Sequence, residues 1–221
     1  MPTSDGRVTR YGAVVRADAL DELAVAGWAA LVAYGVRTVI DLRNDDERAA
    51  GAGRAPRPPR LATIHVPLDV VEDRDFWNLW DSGPQFGTPL YYGPHLERFP
   101  ERSAAVIAAI AGAAPGGVAF NCAGGRDRTG QVTMLLLALA GVAPDDIAAD
   151  YVLSGVRLRA RYAARGEEDE GPLLEAFLEK AGTTAADVLV TMLRGLDVEA
   201  CLRVGGLTSH DIAALRRRLV A

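Results

Sequence analysis

The chain has 221 residues, 49% of them hydrophobic and 24% charged, an ordinary globular composition with length enough for one sizeable core. A formal net charge of -5 argues against general binding to nucleic acid or to anionic membranes. The two cysteines, Cys122 and Cys201, are too few for a disulfide framework and lack zinc-ligand spacing, so a reducing, cytoplasmic setting with no metal or other cofactor is expected.

In chain order, Met1 to Tyr11 is polar and has no apolar signal core. Residues 8–16 suggest short extended segments. Asp18 to Tyr34 has apolar positions at helical spacing (Leu20, Leu23, Ala24, Trp28, Leu31), with Asp18 or Asp21 as candidate N-cap and Gly35 where a C-cap glycine belongs. Val36 to Leu42 predicts a buried strand. Asn44 to Pro59 predicts a short helix and then an irregular loop rich in Gly, Arg and Pro. Ala62 to Val66 predicts a second strand, ended by Pro67. Val70 to Pro100 is aromatic-rich and is expected to be irregular.

Arg102 to Ala114 predicts a helix, Gly117 to Asn121 a strand and Asp127 to Gly141 an apolar helix. Further helices are expected at Asp145–Arg165, Pro172–Ala181, Ala185–Arg194 and Ser209–Val220, with Glu167 to Glu170 as a solvated turn between two of them. The apolar stretch Ala104 to Phe120 is interrupted by Pro115-Gly116-Gly117, so no integral membrane segment is predicted. Strands alternating with helices imply a single α/β domain over residues 1–221, with a central, largely parallel sheet flanked by helices and a helical last third.

The segment Asn121-Cys122-Ala123-Gly124-Gly125-Arg126-Asp127-Arg128-Thr129-Gly130 follows a predicted strand and opens a predicted helix. Five residues between Cys122 and Arg128 let the backbone wrap one tetrahedral oxyanion. The amides of Ala123, Gly124, Gly125, Arg126 and Asp127 would turn inward, beside the partial positive charge of a helix N-terminus. Gly124 and Gly125 permit the positive φ such a wrap uses. Arg128 can close the ring with a planar two-pronged grip on phosphate. The setting favours a thiolate at Cys122, ready to attack phosphorus, and Thr129 can donate a hydrogen bond to it. Chance alone often puts an arginine at this offset in so arginine-rich a chain; the joint pattern of apolar strand, Cys, Gly-Gly, Arg-Asp-Arg-Thr-Gly and apolar helix is what carries specificity.

This loop resembles the signature of protein tyrosine phosphatases. More narrowly, it is similar to bacterial tyrosine and phosphoinositide phosphatases with the pattern His-Cys-x-Ala-Gly-Lys-Asp-Arg-Thr-Gly. Asp41-Leu42-Arg43, Val66-Pro67-Leu68-Asp69, Ala149-Asp150-Tyr151 and Leu202 to Leu207 resemble further segments of that family, so the likeness runs from about residue 12 to residue 220. Asn121, Gly124 and Arg126 stand where the family pattern has histidine, alanine and lysine; Asn121 can still donate to a loop carbonyl.

The resemblance implies a tyrosine-phosphatase-like fold, a phosphorylated protein or phosphoinositide as partner, dual specificity as one option, and a helical lid within residues 145–200. It also selects the general acid. From the residues alone, Asp69 is one carboxylate beyond a strand end, with Glu72, Asp73 and Asp75 close by; the resemblance chooses Asp69. Asp127 is expected to point away from phosphate and accept loop or arginine hydrogen bonds. Arg126 would either hold a second phosphate or be exposed. Arg43 is expected in a structural pair, and Tyr151 in the core or against the loop helix. His65, His95 and His210 are scattered singly. Cys201 reads as a small core residue or a resolving thiol. The expected function is a cysteine-dependent phosphomonoesterase with Cys122, Arg128 and Asp69 as catalytic residues. The alternatives are a non-catalytic phosphate-binding module and, more remotely, a rhodanese-like sulfurtransferase, against which Arg128-Thr129-Gly130 argues.

Overall fold

The computed structural model describes residues 1–51 and 55–221. In chain order the elements are β1 (Val14–Ala17), α1 (Val25–Ala33), β2 (Val36–Asp41), α2 (Asp45–Ala50), β3 (Ala62–His65), α3 (Arg74–Trp80), α4 (Tyr92–Arg98), α5 (Pro100–Gly112) and β4 (Gly117–Asn121). The rest is helical: α6 (Asp127–Leu139), α7 (Pro144–Arg165), α8 (Gly171–Lys180), α9 (Ala185–Gly195), α10 (Val198–Val204) and α11 (Ser209–Leu219). Among the described residues no helix is long and apolar enough to cross a membrane.

The strands form one parallel sheet in the order β1-β4-β2-β3. Residues of β4 are buried throughout and those of β2 all but Arg37, the continuous apolar burial expected of a parallel sheet covered on both faces. One face packs Val36, Val39 and Ala119 against Trp28 and Val32 of α1. The other packs Ile40, Val118 and Phe120 against α5 and α6, through Ile107, Ile110, Val132 and Leu135 among others.

Register brings the carboxyl ends of three strands level. Asn121 stands beside Ala17 of β1 and Asp41 of β2, and Asp41 beside His65 of β3. The loops that follow are stitched by main-chain bonds: Ala19 N–H to the Ala123 carbonyl at 3.1 Å, Leu42 N–H to Asn121 at 2.8 Å, Val66 N–H to Asp41 at 3.0 Å and Leu68 N–H to Leu42 at 3.2 Å. Asp18, Arg43, Asp69 and Cys122 therefore issue from one edge, where ligands collect in open α/β sheets.

Three sequence expectations change. Neither Asp18 nor Asp21 caps a helix: α1 starts only at Val25, after a 3-10 turn over Leu20–Glu22, and the two carboxylates pair instead with Arg161 at 3.3 Å and Arg43 at 2.5 Å. The 70–100 segment is largely helical, because Asp73 accepts the Phe76 N–H at the start of α3 and Thr88 accepts the Leu90 N–H in the turn before α4. No helix is expected between Arg194 and Ser209, yet α10 forms there, with Asp197 capping it by accepting the Ala200 N–H, ahead of the Gly205-Gly206 turn. The loop expected to run on to Pro59 includes residues 52–54, which lie outside the described residues.

Arg43 is buried and bridges two carboxylates, Asp41 at 2.7 Å and Asp21. Burial pushes the Asp41 carboxyl up, but the Arg43 hydrogen bonds outweigh it and hold the group below its ordinary value. Arg43→Leu should cost roughly 3–5 kcal/mol, because it leaves buried charge uncompensated. A depressed carboxyl stabilises above its unfolded value near ~3.9 and stops doing so as pH falls through the folded one. The penalty, read by urea denaturation of both proteins, should be full at neutral pH and shrink as pH falls through the carboxylate range.

Candidate active site

β4 delivers Cys122 to the sheet edge with 3% of its surface exposed. Its Sγ receives the Gly125 N–H at 3.2 Å and the Thr129 hydroxyl at 3.1 Å. Two donors on one sulfur stabilise negative charge there. The loop then enters α6, whose N-terminal turn carries Asp127, Arg128 and Thr129. Of the two glycines, only Gly125 has a positive φ, +73°, and an added Cβ would stand 2.7 Å from the Asp18 nitrogen and 2.9 Å from the Ala17 carbonyl carbon. A Cβ on Gly124 would have nothing nearer than an Arg161 nitrogen at 3.9 Å, so conformational freedom is required at Gly125 alone.

Asn121 is fully buried beneath the loop. Its amide donates to the Cys122 carbonyl at 3.4 Å and to Asp41 at 3.5 Å, the loop-carbonyl bond its sequence position suggested.

Arg128 lies within the electrostatic reach of Cys122, and Glu47 holds it in two parallel bonds of 2.5 and 2.6 Å. Two of its five N–H donors are used this way. Burial pushes the Glu47 carboxyl up, but the Arg128 bond outweighs it and holds it below the ordinary value. Glu47 is itself oriented by the Asn44 N–H at 2.9 Å. Sequence reasoning missed this residue. Its spacing from Asn44, three positions, is a helix-start signal, which announces α2 but not an arginine 81 positions on.

Asp69 comes to the same place: its Oδ2 is 3.4 Å from Arg128 Nη1. Burial raises its carboxyl to about 6, against the pull of Arg128 and with help from the Glu47 and Asp127 charges. A carboxyl so placed is largely protonated in mildly acidic solution, the condition for a general acid. Glu72, Asp73 and Asp75 are elsewhere engaged or exposed; Asp73 caps α3 and pairs with Arg98 at 2.9 Å.

Asp127 turns to Arg126, 3.2 Å from its Nε, and burial raises its carboxyl. Arg126 is not an exposed arginine: its side chain is 11% accessible and also meets Glu170 at 3.7 Å, just before α8. The acidic run at 167–170 is therefore not wholly a solvated turn. Tyr151 is buried against the loop helix, so close to Gly130 that an added Cβ would lie 3.0 Å from its ring and 2.7 Å from the Tyr92 hydroxyl. The thiols of Cys122 and Cys201 are free; Cys201 is partly buried and packs against the core, and that burial pushes its thiol up, which suits an unreactive side chain.

A four-stranded parallel sheet flanked by helices, with a cysteine, an arginine and a buried carboxyl gathered at the carboxyl ends of its strands, is the architecture of an α/β phosphatase. A profile of the tyrosine phosphatase family matches residues 1–221, and the chain belongs to that family. It is 34% identical over 145 residues to a tyrosine-protein phosphatase of Nostoc commune, covering 64% of this chain and 48% of that one. It is 46% identical over 158 residues to a putative tyrosine-protein phosphatase of Cupriavidus necator, covering 69% and 56%. It is 30% identical over 240 residues to a triple specificity protein phosphatase of Mycobacterium tuberculosis, covering 95% and 81%. The matched regions span about half the length of the first two relatives.

The two loop glycines should respond differently to a methyl group. Gly125→Ala should cost roughly 1–3 kcal/mol from its left-handed backbone, more once the contact with Asp18 is added, and should weaken the competition of inorganic phosphate for the thiol against alkylating agents. Gly124→Ala should stay within about 0.5 kcal/mol of the parent and keep phosphate protection.

Proposed function

We propose that the chain is a cysteine-dependent phosphomonoesterase working through a cysteinyl-phosphate intermediate. The observation that carries this reading is the Cys122 sulfur, held by the Gly125 amide and the Thr129 hydroxyl beside an arginine and a raised carboxyl that touch one another. The Cys122 thiolate attacks phosphorus, an S–P bond forms and the P–O ester bond breaks. The loop amides from Ala123 to Asp127 and the guanidinium of Arg128 bind the equatorial oxygens. Asp69 gives its proton to the leaving oxygen. Water then attacks phosphorus and yields a proton to the Asp69 carboxylate. The S–P bond breaks, and the Thr129 hydroxyl meets the returning charge on sulfur.

Substrates on this reading are phosphorylated proteins, phosphotyrosine first, and phosphoinositides. The family membership and the relatives named as tyrosine or triple specificity phosphatases support a phosphorylated substrate. Arg126 lies at the loop with Asp127 and Glu170 as its partners, so a second phosphate on the substrate would have to compete with those carboxylates. The helices of residues 145–200 act as the lid region that decides which phosphates enter. Glu170 and Leu174 support this role: the first meets Arg126, and the second lies where a Cβ on Gly87 would touch it at 2.9 Å.

An aryl phosphate should be hydrolysed without added metal, and Cys122→Ser should abolish turnover; an active Cys122→Ser protein sinks the reading. A chain that binds phosphate but never turns over would instead be a phosphate-binding module. Asp69→Asn should lower kcat by ~10²–10⁴-fold on alkyl phosphates, whose leaving groups need a proton. Since the acid must be protonated, kcat should fall as pH rises above about 6, and Asp69→Asn should remove that limb.

A further inference from the structure

His95 sits on α4, fully buried, among aromatic rings: Phe76, Phe99 and Tyr91 lie edge-on to it at 5.9, 5.2 and 6.2 Å. Its Nδ1 receives the Gln131 amide N–H at 3.1 Å, and that same amide donates to Ser103 at 3.2 Å. An acceptor at Nδ1 puts the ring proton of a neutral imidazole on Nε2. The ring is held neutral, since burial lowers its pKa to about 4.

Neither that Nε2–H nor Asp69 Oδ1 makes a hydrogen bond of normal geometry, although both are buried; the Leu68 main chain acts on the ring as a hydrogen-bond partner and raises its pKa against the effect of burial. Nε2 and Oδ1 stand 3.9 Å apart. Buried polar atoms normally find partners, and bonds made in the reaction are often long before substrate binds. The two oxygens of Asp69 thus face different ways, Oδ2 toward Arg128 and the loop and Oδ1 toward His95.

We propose that His95 is a positioning residue for the general acid, with its Nε2–H closing on Asp69 Oδ1 as the proton leaves Oδ2. This deepens the phosphatase reading above and rests on it. The proton of Oδ2 passes to the leaving oxygen, and the carboxylate that remains is met by a neutral donor at Oδ1, fixing Oδ2 toward the substrate. A cationic histidine would hold the carboxylate too firmly to be reprotonated by water; an apolar residue would leave it uncompensated in a buried site. The other charged or titratable groups facing Asp69 are Arg128, Glu47, Asp127 and Tyr91, while His95 also meets the Leu68 backbone and the field of Arg102. Two further donors bear on the same carboxyl, the Asn44 side chain, whose hydrogen bond pulls its pKa down, and the Tyr91 hydroxyl, buried without a partner.

The test compares wild type, His95→Phe, His95→Gln and Asp69→Asn by pH profiles of kcat on an alkyl and an aryl phosphate, with thermal unfolding as a check on folding. Removing a donor to the carboxylate favours the protonated form, so His95→Phe should move the alkaline limb up by about one pH unit. It should also lower kcat on the alkyl phosphate by about tenfold or more, with a smaller loss on the aryl phosphate and little change in KM. His95→Gln, which keeps an N–H at the Nε2 position, should return the limb and most of kcat. A His95→Phe enzyme that keeps the wild-type limb and its kcat ratio between the two substrates, while Asp69→Asn loses the limb, would overturn the role of His95 alone. Equal losses in His95→Phe and His95→Gln with an unmoved limb would mean packing only, and would also overturn it. An Asp69→Asn enzyme with an intact limb would overturn the assignment of the acid and this inference together.

Discussion

Arg128 cannot stand beside Cys122 unless another group holds it, because its guanidinium is charged, long and nearly buried. Glu47 does this with two short parallel bonds, and Asn44 orients Glu47 in turn. Nearby, the Asp69 carboxyl carries a raised pKa because it is buried, even though the guanidinium opposes the rise. Cation, acid and thiol are therefore one electrostatic unit. Glu47 keeps the arginine fixed and adds negative charge that helps keep Asp69 protonated, so the loss of this one carboxylate would move both partners.

The unit exists because the strands end level. Parallel pairing of β1, β4 and β2 sets Ala17, Asn121 and Asp41 abreast, and the following loops are bound to one another through their main chains. The buried Arg43, shared by Asp41 and Asp21, fastens the start of the α2 loop. Asn121 ties the base of the thiol loop to that same Asp41. A network of this kind adds little net stability over an apolar core, yet is costly to break at one member; its effect is to hold four chain segments in one geometry.

The aromatic segment between β3 and α5 bears most on the proposed chemistry, and periodicity says least about it. Its helices α3 and α4 are short and capped by Asp73 or entered through a 3-10 turn, so no long apolar repeat marks them. They bring Phe76, Tyr91, Tyr92, His95 and Phe99 into one layer against Asp69 and α6. That layer buries the acid and the histidine together. Nothing in the spacing of His95 hints at it, because the ring acts through a residue 26 positions earlier in the chain.

The sequence by itself determined the alternation of strands and helices, the parallel sheet and the strand–loop–helix passage at residues 121–130 that carries Cys122 and Arg128. These are local properties: an all-apolar strand, glycines, and a cysteine and arginine spaced to wrap one anion. It also marked Asp69, through resemblance. Tertiary structure alone decided that only Gly125 needs its freedom, since that depends on the approach of Asp18. It decided that Glu47 grips Arg128, that Arg126 meets Glu170, and that His95 faces the acid. Each of these is a meeting of segments far apart in the chain, brought together by strand register and helix packing rather than by any pattern within one segment.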